Sequence, residues 1–186
     1  MKEMTLDCLS ERHLLLFGTI IQWFARYELL MQDIMAVVSG SDAASVMLLT
    51  RGLDFGGKRQ ALLDLLRHWT IPLDQFDRIS EYLMVPHTLT PLRNHIAHSA
   101  WMVSPAQNSI QPDWILRPLP GIKPLRDDPS VPSEDFVERD EEKIAYTLDS
   151  LTETVEILAE NHKSFSEYLR EIGLIPGPLE RRTSQT

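Results

Sequence analysis

Cysteine is nearly absent. Cys8 is the only one in 186 residues, which excludes an intrachain disulfide and any zinc site built on cysteines, and fits a reducing compartment. Basic charge is also scarce, with 18 Lys and Arg against 27 Asp and Glu and a net charge of −9. That balance argues against broad, sequence-blind adhesion to nucleic acid, which relies on cations neutralising phosphates. Long apolar runs are missing too. The stretch Leu14 to Ile21 follows Glu11-Arg12-His13 and runs on into Gln22, Arg26 and Glu28. It lacks the cleavage site of a secretory leader and falls short of the roughly 20 apolar residues of a membrane span. The expectation is a cytoplasmic protein with no membrane partner.

What is present is an ordinary globular composition, 43% apolar and 24% charged, in a chain long enough to bury one core. Charge is unevenly spread. Residues 51–100 hold six bases and five acids, a local balance of +1 that leaves −10 for the rest. His68, His87, His95 and His98, four of the six histidines, fall in the same window.

Hydrophobic periodicity predicts an all-α fold, a bundle of two long helices and several short ones within one domain spanning 1–186. The first long helix runs from about Ser10 to Val38, because Leu14, Phe17, Ile21, Phe24, Glu28, Met31, Met35 and Val38 recur at steps of three and four. Asp42 caps a short helix through Arg51, and a third helix spans Asp54 to Trp69 with Leu62, Leu65, Leu66 and Trp69 inward. Phe76, Ile79 and Leu83 predict another, closed before Pro86, and Thr90-Pro91 starts the next. Seven of the twelve prolines lie in 101–138. This predicts an irregular insertion, with a hairpin pairing Trp101-Met102-Val103 and Trp114-Ile115-Leu116. The helical core is thus placed at about 10–100 and 139–173. The last helix is expected from Asp140 to Ile172, on a seam of Ile144, Leu148, Leu151, Val155, Leu158, His162, Phe165, Leu169 and Ile172. A loose tail, 174–186, follows.

Gly52-Leu53-Asp54-Phe55-Gly56-Gly57-Lys58-Arg59 approaches a phosphate-binding loop, but Arg59 stands where the magnesium-ligating hydroxyl belongs and no strand precedes it. A turn into a helix is the simpler reading. Lys58 and Arg59 are weak substrate-binding candidates on phosphate, or a solvated helix start. His95 and His98 stand three apart on one helix, yet no third ligand completes a metal site, so no metal or other cofactor is expected.

Arg93, Asn94 and His98 carry more chemistry. Asn94 and His98 share a helical face at i and i+4, where an amide can hold the imidazole in one tautomer. Arg93 lies about 140° from His98 around a regular helix, but its long arm can reach the same cleft. Imidazole and guanidinium are the parts needed to cut RNA without a metal, one moving protons and the other balancing phosphoryl charge. The alternative is that these residues only cap and brace helix ends. Glu28, on an otherwise apolar seam, needs a partner if buried. Arg93 or His98 is one expectation, and solvent exposure of Glu28 is the other.

The segment Arg93-Asn94-His95-Ile96-Ala97-His98 within a helical bundle resembles the signature of the HEPN superfamily, from the first long helix to the last. The resemblance implies a dimeric, metal-independent endoribonuclease of the kind found in toxin–antitoxin, phage-defence and RNA-processing systems. Arg93 and His98 would be catalytic, with Asn94, His95 and Glu28 supporting. Ser99 stands where related sequences often have glycine. It also implies a second possibility, a HEPN-like module without catalysis that regulates a partner protein. Expected partners are therefore RNA, a second copy of the chain, and a protein antitoxin or regulatory partner. An enzyme should expose Arg93 and His98 together, whereas a scaffold should bury or separate them.

Overall fold

Four helix starts are set by side chains that accept backbone N–H groups the helix leaves unpaired. Ser10, Asp42, Asp54 and Thr147 accept from the backbone of His13, Ser45, Gly57 and Ser150. The structure, a computed structural model, describes residues 9–104, 108–113 and 145–175. Among these the chain forms α1 (Glu11–Ser39), α2 (Ala43–Thr50), α3 (Phe55–His68), α4 (Leu73–Thr88) and α5 (Thr90–His98). Strands β1 (Ala100–Val103), β2 (Ser109–Asp113) and β3 (Tyr146–Thr147) follow, and then α6 (Leu148–Glu171). The fold is predominantly helical, as expected, with one small antiparallel sheet.

α1 is the central helix and packs against α2, α3, α5 and α6. Gly40 closes it at φ 65°, a left-handed position that costs glycine little. The inward face carries Ile20, Phe24, Tyr27, Met31 and Ile34, all essentially inaccessible. Leu62 and Leu66 from α3, Ile79 and Leu83 from α4, and Leu151, Leu158, Phe165 and Leu169 from α6 complete the core. Each such side chain contributes about 1.5–3 kcal/mol on burial. This face is rotated from the predicted one, since Leu14 is 51% exposed and Ile21 only half-buried. α1 is apolar on more than one side, so periodicity alone did not select the side its neighbours cover. By length and composition α1 also passes as a candidate membrane span, a test that core helices of globular proteins pass as well. In the fold its inward face is core.

Other boundaries move for identifiable reasons. α4 continues through Pro86 to Thr88. Proline near the end of a helix forfeits one hydrogen bond without stopping it, and Pro86 is itself buried. Leu89 then serves as the last cap of α4 and the first of α5. Trp69 ends up 53% exposed rather than inward. The hairpin forms, but β1 pairs with Ser109–Asp113, setting Trp101 opposite Pro112 and Val103 opposite Ile110. Trp114-Ile115-Leu116 lies outside the described residues, as do Asp140-Glu141-Glu142 and Ile144. The last helix starts at Leu148, because Tyr146 and Thr147 are a strand paired with Ile110 and Ser109. The core also reaches past the predicted end, with Ile175 buried.

Candidate functional site

α5 holds the motif. Pro91 near its start fixes φ in the helical range, and the turn at Leu89 sets the helix off from α4. Leu92 and His95 are buried on one side, where α5 packs on α1 and α4. His95 Nδ1 lies 3.0 Å from the Tyr146 hydroxyl, and burial pushes its pKa below the usual 6.5. Tyr146 in turn packs edge-on against Trp101, which lies against Phe17 of α1. The motif helix is thereby tied to the sheet, to the start of α6 and to the central helix.

The other side of α5 is open. Asn94 and His98 are exposed and Arg93 is half-buried. Arg93 Nη1 donates to Asn94 Oδ1 at 3.2 Å. The expected Asn94–His98 contact is replaced by this one, since adjacent side chains meet once the arginine arm folds back. His98 is the last residue of α5. Ser99 is extended, at φ −102° and ψ 147°, and its N–H donates to the His95 carbonyl at 3.0 Å. That backbone suits any residue, so serine serves where glycine was the alternative.

Glu28 neither reaches Arg93 nor is left to solvent. It forms an ion pair with Lys58 of α3, with side chains 24% and 10% exposed. Lys58, a weak phosphate candidate from the sequence, is therefore paired within the protein. A buried ammonium beside a carboxylate is already neutralised. Arg59 is half-buried, donating through Nη2 to Ser80 Oγ at 3.4 Å and lying 3.8 Å from Met84 Sδ. The glycine-rich stretch before them is the start of α3. Asp54 Oδ1 accepts the Gly57 N–H at 2.7 Å, so the protein's own carboxylate occupies the place a phosphate would take.

The chemistry on offer at α5 is thus a guanidinium, an amide and an accessible imidazole on one short helix. Sequence reasoning missed Tyr146 and Trp101 as its supports, because Tyr146 fell inside a predicted helix. Their signal was aromatic clustering around a histidine, which has no fixed spacing. No family model, curated protein or solved structure matches this chain.

Proposed function

We propose that the chain is a HEPN-like, metal-independent endoribonuclease acting as a cytoplasmic homodimer. His98 takes the proton from an RNA 2′-hydroxyl, whose oxygen attacks the adjacent phosphorus. The bond to the 5′-oxygen breaks, leaving a 2′,3′-cyclic phosphate, and the proton taken up by His98 passes to the departing 5′-oxygen, directly or through water. Arg93 balances the charge on the non-bridging oxygens. Asn94 orients the guanidinium, and His95 holds the helix. One observation carries this reading. Leu92 and His95 anchor α5 by one side while Asn94 and His98 stay exposed and Arg93 stays partly open on the same short helix.

The test is cleavage of a mixed cellular RNA pool in EDTA by wild type beside His98→Ala, with folding of both confirmed. Wild-type cleavage giving cyclic-phosphate ends, lost in the variant, is expected. Equal cleavage by both would remove His98 from the mechanism. Cleavage by neither would favour the second reading, a non-catalytic module for a regulatory or antitoxin protein. Two features support that reading. The net charge is −9, and α2 presents Met47, Leu48 and Leu49 to solvent at 50–82% exposure.

A further inference from the structure

Between α4 and α6 an open cleft of about 360 Å³ is lined by Arg78, Glu81, Tyr82 and Asn161. That volume falls within the roughly 300–1,000 Å³ of small-molecule pockets. The lining holds one full charge of each sign. Arg78 and Glu81 are exposed and stand one turn apart on α4, a spacing at which opposite charges ordinarily pair. Asp74, one turn earlier on the same helix, offers Arg78 a second such partner. Neither pair forms. The ion pairs among the described residues join Lys58 to Glu28 and Arg67 to Asp64. Arg78 lies instead over the Tyr168 ring, 4.7 Å from its centroid, and a guanidinium stacked in this way keeps N–H groups with which to grip a carboxylate. The other two lining residues are held by the core. Tyr82 stacks on Phe165 with centroids 5.1 Å and planes 21° apart. Asn161 Oδ1 accepts the Tyr27 hydroxyl at 2.5 Å, which orients the amide and leaves its Nδ2 donors without a partner among the described residues.

We infer that this cleft binds a small zwitterion of the α-amino acid class. Its carboxylate sits on the Arg78 guanidinium and Asn161 Nδ2, its ammonium on the Glu81 carboxylate, and its side chain lies along the Tyr82 ring. A ligand carrying both charges satisfies both residues at once, and each contact is charge-assisted. A purely anionic ligand would be repelled by Glu81, and a purely cationic one by Arg78. None of the lining residues lies on α5, so the site stands apart from the RNA reading and is tested without reference to cleavage.

The full chain is titrated with the common α-amino acids up to about 20 mM, and binding is read as a rise in melting temperature and by calorimetry. At least one of them should bind saturably. Its N-acetyl and methyl ester forms, each lacking one charge, should bind about 10-fold or more weakly. Glu81→Gln should weaken the free amino acid by about the same factor while leaving the N-acetyl form no weaker than before, because the lost contact is the one to the ammonium. Arg78→Gln should do the converse, sparing the methyl ester. Glu81→Gln keeps the shape of an exposed side chain, so its melting temperature without ligand should match wild type. The proposal is overturned if no amino acid binds the wild-type chain, or if the blocked forms bind as tightly as their parent. It is equally overturned if Glu81→Gln binds the free amino acid as wild type does.

Discussion

His95 Nδ1 and the Tyr146 hydroxyl, fifty-one residues apart along the chain, lie 3.0 Å from each other. The contact joins the motif helix to the strand that leads into α6. It explains why a histidine inside the motif is buried while its neighbours Asn94 and His98 face solvent.

Removing that hydroxyl should therefore loosen α5. Tyr146→Phe is expected to lose about 1 kcal/mol, the usual net worth of one hydrogen bond. Urea unfolding measures it, and a change under ~0.3 kcal/mol would mean the contact contributes nothing. Any RNA cleavage should fall more than the folded fraction does, since the helix that carries His98 is less firmly held.

Glu28 and Lys58 should act as a unit. Breaking the pair from either side, by Glu28→Gln or Lys58→Met, is expected to cost roughly 2–4 kcal/mol. That is below the range for a deeply buried pair, because Glu28 keeps some solvent contact. The double variant should cost clearly less than the sum, and additivity within about 0.5 kcal/mol would show the residues to be uncoupled. Glu28→Gln should leave cleavage per folded molecule unchanged, because Glu28 contacts α3 rather than the motif.

Three histidines should make stability fall in acid. His13 and His95 have pKa values lowered by burial, and His162 by burial and then by the nearby Arg26 charge. Each is held neutral in the folded state, while the unfolded chain takes up a proton near 6.5. Below that pH the unfolded state binds more protons, so stability declines as pH drops from 7 through 6.5 toward the lowered folded values. Thermal melts across pH 7.5 to 5 should show the decline. His13 adds a local reason, since its Nδ1 accepts the Ser10 N–H at 3.2 Å and a protonated nitrogen cannot. His13→Gln should flatten the profile in part, and an unchanged slope would exclude His13 as a contributor.

Arg93 and His98 should separate chemistry from folding. Arg93→Lys keeps the charge but loses the planar fork that grips two phosphoryl oxygens. A fall in cleavage of about 100-fold or more is expected. Unfolding free energy should stay within ~0.5 kcal/mol, as for other accessible positions. Full activity in Arg93→Lys would leave the guanidinium geometry without a role.

Tyr27 ties α1 to α6, donating to Asn161 Oδ1 at 2.5 Å and lying 3.1 Å from the Leu158 carbonyl. Burial holds its pKa far above the ordinary tyrosine value. Tyr27→Phe keeps the ring but leaves those acceptors unpaired, and about 1–3 kcal/mol of stability should be lost in urea unfolding.

Short-range chemistry wrote much of this protein into its sequence. Ser10, Asp42 and Asp54 announced their helices because a cap acts on N–H groups two or three residues away. Gly40 ends α1 for a similarly local reason. The motif could be read because all its members sit on one helix. The tertiary structure alone decided what faces what. α1 is apolar on several sides, so only the packing of α3, α5 and α6 selected Ile20 and Tyr27 for the core and left Leu15 and Leu29 outside. Glu28 found Lys58, thirty residues away, because two helices cross there. The strand Ser109–Asp113 took its register from Val103 on one side and Tyr146 on the other. Such pairings depend on distances between elements, and no local pattern of residues encodes them.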